Sequence, residues 1–541
     1  MRAALAARPR DGVLLGLLHL VLGLGVATDP RTAHDEGLLM YSFARSLGEA
    51  FLPCLFFQKL KPALALLYLP VARAGFGPYL VAHVVVSAAA VALMPEIARA
   101  LGHRRPWVPA LVLALSPMYF WSGATGISNS DGIAGIVLFL YLLVVRRDLL
   151  WAGVLLGVLP WVRFEGAMFC AVMAPYVLYR YRSAAFAGGL CLWPLLYLGG
   201  GALYHRDALW FLHLSPGVGE LMPGNQVWAE EFAHHGVGTA MTALAMTTPA
   251  TALLLFVRPR RLAAIERALL VFAVGFLGLF LLTHFWPLPI GPAFALGFST
   301  RYAVLPAAAV ALLAGRAVEA QGNEAGSSWR DTLVLGVALA LGALAERRGA
   351  GAMGLWAVAA CGAVVAARRA GASGAATLAL VALVIAAPLA LRARMEREGF
   401  APDPRLEQAT AWIEQRRDVG GRAPIYTNAQ MLPSFIARTG RLPGVPVRYM
   451  LAADQRFELT TLSNPDNGQR EAVLAAVPRA LMGEVVGPAD LSPERTPEGA
   501  LFVLIDDART ALIMPEETWR PRLRVLHRGP RFTIAALAPG P

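Results

Sequence analysis

The chain has 541 residues, 57% of them hydrophobic and only 16% charged, with a formal net charge of +12. A water-soluble protein of this size needs more charge on its surface, so the composition excludes a globular protein lying wholly in solvent. Nucleic acid is also excluded as a partner, because the basic residues sit in short stretches between apolar runs, the pattern of membrane topology.

In chain order, Arg2, Arg8 and Arg10 precede an apolar stretch at 13–27. With no convincing A-x-A site after it, this reads as an uncleaved first span rather than a signal peptide. Spans are expected at 12–28, 78–98, 107–122, 131–145, 149–162, 166–179, 184–204, 238–257, 267–286, 300–315, 331–346, 352–367 and 374–392, about thirteen helices in all. A shorter apolar piece from Pro62 to Phe76 is broken by Arg73 and Gly75 and reads as interfacial. The four cysteines form no CxxC and no disulfide framework.

Arginines mark alternate loops: Arg99, Arg104 and Arg105; Arg146 and Arg147; Arg180 and Arg182; Arg258, Arg260 and Arg261; Arg316 and Arg330; Arg368 and Arg369. By the positive-inside rule these loops are cytoplasmic, as is the N-terminus. The opposite side holds the longer polar stretches 29–61 and 205–237 and, after an odd number of spans, the C-terminus. From about residue 396 the composition turns ordinary and polar, and the tail reads as a soluble α/β domain. It has helical spacing over 403–417, strands at 423–427 and 501–505, and a terminal hairpin of 523–527 and 532–537. Asp506 and Asp507 read as turn residues ending a strand. No GxGxxG after a strand, P-loop, HExxH or clustered zinc ligands occur.

Ion-coupled transporters keep ionisable groups at mid-membrane. Here the acids stand at the outer ends of spans: Asp35 and Glu36 after the first, Asp131 opening the fourth, Glu165 opening the sixth. Chemistry is therefore expected at the outer membrane–water boundary. Each residue also has a plainer reading. Asp35 and Asp131 suit helix caps, Arg163 and Glu165 suit an ion pair, and Arg301, His205 and Arg206 suit the interface.

The first outer loop carries Asp35-Glu36, Tyr41, Ala44-Arg45 and Lys61-Pro62, with Lys59 just before. That order and spacing resembles the GT-C membrane glycosyltransferases, in the branch of the protein O-mannosyltransferases and the lipid A aminoarabinose transferase. Asp131, Arg163-Phe164-Glu165-Gly166 and Arg301-Tyr302 fit the family's later motifs. Two departures stand out: Lys61-Pro62-Ala63 replaces Lys-Pro-Pro, and Gln58 stands where a glutamate is common. The resemblance covers roughly residues 10–315 and implies a GT-C-like catalytic membrane region over 1–315; hydropathy and composition add transmembrane helices over 316–395 and an extracytoplasmic α/β domain over 396–541.

The activity it implies is transfer of a sugar from a polyprenyl-phosphate donor to a glycan, lipid or protein acceptor at the outer face of a bacterial cytoplasmic membrane. Asp35 would be the base, with Glu36 beside it. Lys61, Arg301 and Lys59 would bind phosphate. Asp131 and Glu165 would orient acceptor or sugar, or hold a divalent metal, with Arg163, His205 and Tyr302 as further binding residues. The resemblance fixes no required cofactor and leaves a divalent metal open. Two other classes stay open at the level of sequence: a transporter or channel with a periplasmic domain, and a non-catalytic envelope-assembly protein.

Overall fold

The structure is a computed structural model that describes residues 10–30, 35–57, 60–114, 116–213, 250–251, 254, 257–285, 303–321, 404–416, 423–429, 431–450, 468–480, 484–486, 491–505, 519, 521–529 and 532–538. In chain order the helices are α1 (Arg10–Ala27), α2 (Asp35–Ser46), α3 (Phe51–Leu55), α4 (Pro62–Ala74), α5 (Phe76–Ala100), α6 (Trp107–Ala114), α7 (Pro117–Thr125) and α8 (Asn129–Leu140). They continue with α9 (Leu149–Val162), α10 (Gly166–Tyr181), α11 (Ala184–His205), α12 (Trp210–His213), α13 (Ala264–Phe285) and α14 (Ala307–Gln321). In the C-terminal region follow α15 (Pro404–Gln415), α16 (Met431–Thr439) and α17 (Gln469–Ala480), with strands β1 (Ile425–Thr427), β2 (Val447–Met450), β3 (Glu484–Val486), β4 (Leu501–Ile505), β5 (Leu523–Gly529) and β6 (Phe532–Leu537).

The chain forms two compact units. One gathers the described residues of 1–25, 81–200 and 218–397; the other gathers those of 26–80, 201–217 and 398–541.

In the first unit, helices α5, α8 with its continuation to Arg146, and α11 are long and apolar enough to cross a membrane. The bent pair α6–α7 makes a fourth if it counts as one span. The expected spans at 149–162, 166–179 and 184–204 coincide with α9, α10 and α11 to within two residues. The expected straight span at 107–122 is instead two helices bent by 63°. Pro117 at the first position of α7 explains the break, because it lacks an N–H and keeps the preceding residue out of helical conformation. The span expected at 131–145 begins two residues earlier, and its last turn, Tyr141–Arg146, is π-helical. Of the span expected at 300–315, the part from Ala307 on lies in α14, and residues 300–302 lie outside the described residues. Those expected at 331–346, 352–367 and 374–392, and nearly all of 238–257, lie outside the described residues.

Helices α9 and α11 cross closely because glycines, Gly153 and Gly157 of α9 and Gly189 of α11, stand at the crossing. A Cβ on Gly153 would fall on the Phe186 carbonyl oxygen, and one on Gly157 on that of Leu190. Small residues four apart permit such backbone approach in membranes.

In the second unit the stretch 29–61, expected as a polar loop, carries the helices α2 and α3. The piece from Pro62 to Phe76 is one helix through Arg73, and the break falls at Gly75, whose φ of 125° a side chain would strain. The C-terminal sheet has strand order β3-β2-β1-β4-β6-β5. The first four strands are parallel, with Tyr426 beside Arg448 and Phe502, while β6 pairs antiparallel with β4 and β5. Tyr426, Met450, Phe502, Trp519, Ala535 and Leu537 pack as its core. Helices α16 and α17 and strands β2 and β3 were not expected; α17 packs against α2 and α3.

Candidate functional site

In the second unit, Asp35 opens α2, Glu36 follows it and Lys61 caps α4. Lys61 adopts left-handed backbone, φ 50° and ψ 67°, before Pro62 at the first helical position. A non-glycine residue there costs roughly 1–2 kcal/mol, and such strain gathers at functional positions. The conformation turns the lysine back toward α2, where Nζ donates to Glu36 Oε1 at 3.2 Å. Both side chains are largely buried. Glu36, read as the supporting acid, is thus the carboxylate against Lys61. The Asp35 side chain, Lys59, Arg301 and Tyr302 lie outside the described residues.

Around this pair, Arg45 Nη1 donates to the buried Tyr41 hydroxyl at 3.2 Å, and the Tyr41 ring meets Phe76 and Tyr79 edge-on. The C-terminal region holds the same segment. Arg438 Nη2 donates to the Ala27 carbonyl at 2.6 Å, and Gln469 Nε2 to that of Pro53 at 3.0 Å. Burial pushes the Arg438 guanidinium down from its ordinary value, opposed by the nearby Asp29 carboxylate. His205 is buried at the end of α11, stacked on Trp210 with its Nε2 3.4 Å from the Phe56 carbonyl oxygen.

In the first unit, the start of α8 is a buried polar cluster: Ser128, Asn129, Ser130 and Asp131. Arg163, in the extended residue ending α9, reaches across to it. Nη1 donates to Ser128 Oγ and Asn129 Oδ1, both at 3.0 Å. Its other edge binds Glu165, with Nε to Oε2 at 3.1 Å and Nη2 to Oε1 at 2.5 Å. This bidentate fork is the strong geometry for a guanidinium and a carboxylate, and the added bonds offset the cost of burying both charges. Of the sequence readings, the ion pair of Arg163 and Glu165 is the one observed. Among the described residues no cluster of three or more His, Cys, Asp or Glu side chains is placed to hold a metal ion.

Asp131 has a partner that sequence reasoning missed: His83 Nδ1, 3.1 Å from Oδ2, both groups buried. One turn on, Ser87 accepts at its carbonyl from the Tyr119 hydroxyl at 2.8 Å, and its Oγ is 2.8 Å from His19 Nε2. The signal was readable as two histidines inside apolar runs. Beyond the far end of α5, His103, Glu266, Arg316 and Glu319 make a second buried ionic knot, with His103 Nε2 to Glu266 Oε1 at 3.1 Å and Arg316 Nε to the same oxygen at 2.6 Å.

No protein-family model and no curated protein matches the sequence. Solved structures do match. The crystal structure of ArnT from Cupriavidus metallidurans bound to undecaprenyl phosphate aligns with a TM-score of 0.52 at 15% identity, covering 97% of this chain and 97% of that one. The apo crystal structure of the same protein gives 0.52 at 14% identity with the same coverage. At such identity the likeness is one of fold, which the chain shares with ArnT along nearly its whole length.

Proposed function

We propose that the protein is a multi-pass glycosyltransferase of the bacterial cytoplasmic membrane that moves a sugar, hexosyl or pentosyl, from polyprenyl phosphate to an acceptor hydroxyl at the outer face. The observation that carries the reading is the fold shared over 97% of both chains with ArnT, a protein crystallised with undecaprenyl phosphate. The order of Asp35-Glu36, Tyr41, Ala44-Arg45 and Lys61-Pro62 supports it independently. So does the left-handed Lys61, whose ammonium meets the Glu36 carboxylate.

In the reaction an acceptor oxygen attacks the anomeric carbon, and the bond from that carbon to the phosphate oxygen breaks. The acceptor proton passes to the Asp35 carboxylate, and polyprenyl phosphate leaves carrying the negative charge. A positioned base contributes about 10²–10⁴-fold. Lys61, with Lys59 and Arg301, stabilises the leaving phosphate, and a water-poor surrounding strengthens that attraction. Without donor, Glu36 is the anion at Lys61; the phosphate takes up the same ammonium when it binds. Asp131 orients the sugar or acceptor, and Glu165 acts through Arg163. His205 and Tyr302 complete the binding residues. About thirteen spans, a cytoplasmic N-terminus and a soluble external C-terminal domain complete the reading. The acceptor is a glycan, lipid or protein.

The test is retention of undecaprenyl phosphate by the detergent-purified protein in native mass spectrometry, with undecaprenol as the control lacking phosphate. Saturable binding of the phosphate form, weakened by Lys61→Ala, is expected. Equal retention of the two lipids would refute a phosphate-reading site.

A further inference from the structure

His83 lies in the first third of α5, in the apolar stretch Tyr79–Val86, and is completely buried. A histidine in such a place is costly unless its polar atoms are used. Its Nδ1 stands 3.1 Å from Asp131 Oδ2, and the carboxylate itself is only 4% exposed. A carboxylate only accepts, so a hydrogen bond across this contact requires the proton on Nδ1. Gly132, next to Asp131, is packed by the Arg163 side chain and Leu305. Asp131 thus sits between a rigid neighbour in sequence and a ring fixed on another helix.

The surroundings add a second fixed point. Ser87, one helical turn along the same face of α5, is bonded by Tyr119 of α7 and lies against His19 of α1. A Cβ on Gly123 of α7 would meet Ser87 Oγ at 2.8 Å, so the backbones are in close contact there. The face of α5 that carries His83 therefore has little freedom to turn.

We propose that His83 is a positioning residue that holds the Asp131 carboxylate in one orientation toward the sugar or acceptor. The inference rests on the role given to Asp131 above. His83 is fully buried and touches no substrate; it acts through Asp131 alone. Loss of that hold slows the chemical step while leaving donor binding nearly unchanged, because small errors in placing a reacting or orienting group cost rate steeply.

The experiment has two parts. The first measures turnover of undecaprenyl-phosphate-linked mannose, glucose, galactose and 4-amino-4-deoxyarabinose, as release of undecaprenyl phosphate, by wild type, His83→Leu, His83→Asn, Asp131→Asn and the double variant His83→Leu/Asp131→Asn. His83→Leu is expected to lower kcat by about 10- to 100-fold with donor KM within about twofold. His83→Asn, which keeps a donor near the Nδ1 position, restores most of the loss. The double variant is no slower than Asp131→Asn, since two residues acting as one unit are not additive. Wild-type rates in His83→Leu, failure of rescue, or full additivity overturns the proposal; wild-type rates in Asp131→Asn overturn the role of Asp131 itself. The second part needs no donor: the ¹⁵N spectrum of histidine-labelled protein, with the His83 signals identified by their absence in His83→Asn. Protonation at Nδ1 that is lost in Asp131→Asn supports the pair, and a ring indifferent to Asp131→Asn overturns it even where no donor turns over.

Discussion

Lys59 and Lys61 are the two lysines in a chain whose other 46 basic residues are arginine. Where charge alone suffices, this protein uses a guanidinium; in one three-residue stretch it does not. An ammonium is a compact point charge able to approach one oxygen, whereas a guanidinium is a wide planar fork. Lys61→Arg is therefore expected to lower transfer by about tenfold or more, equal to the ~1.5 kcal/mol at the lower end for a hydrogen bond to a charged group. Lys59→Arg is expected to be milder. Steady-state rates in membranes check both, and full activity of Lys61→Arg would show that only charge matters there. The sequence made the importance of Lys61 legible through its company, Pro62 and the acids 25 residues before it. The bond to Glu36 was not legible, since it depends on left-handed backbone at a residue other than glycine. His83 was missed for a different reason: the acids were searched along each span end, and its partner lies 48 residues away on another helix.

Among the elements, the length of the apolar runs located α9, α10 and α11 almost to the residue, because a helix satisfies its own backbone and needs no partner to define it. The α6–α7 break was hidden, as an unbroken apolar run conceals a bend that Ser116-Pro117 imposes. Strands β2 and β3, of four and three residues, are too short to show alternation. The ionic knot below α5 was equally invisible: Arg316 read as one more cytoplasmic arginine, yet it joins Glu266 of α13 to Glu319 of α14. Its Nη2 and Nη1 also donate to the carbonyls of Leu101 and Gly102. Removing Glu266 leaves His103 and Arg316 buried without that carboxylate. Glu266→Ala is expected to destabilise the protein by ~3–5 kcal/mol, seen as a lowered unfolding temperature in detergent. An unchanged unfolding temperature would mean that the knot is not a structural clamp.

At the scale of the whole molecule, loop arginines predict a cytoplasmic N-terminus and an external C-terminus. Reporter fusions after residues 105, 147, 261 and 369 should read cytoplasmic, and one after residue 541 external; a cytoplasmic C-terminus would mean a miscounted span. Composition along the chain divides it into consecutive pieces. Among the described residues, those of 26–80, 201–217 and 398–541 form one compact unit. Contacts such as Gln469 to Pro53 and Arg438 to Ala27 join residues of unlike composition more than 400 positions apart, so no local pattern reveals them. The transporter reading gains buried histidines at His19 and His83 that sequence inspection passed over, but those groups face Ser87 and Asp131 inside packed helices. Glycosyl transfer remains the proposed reading. Its most direct test is turnover of undecaprenyl-phosphate-linked sugars by purified protein in liposomes, compared between wild type and Asp35→Asn. The substitution keeps the shape of the side chain and removes its ability to take a proton. Release of undecaprenyl phosphate by the wild type, reduced by about 10²-fold or more in a normally inserted Asp35→Asn protein, is the predicted result; turnover by Asp35→Asn at the wild-type rate would contradict it.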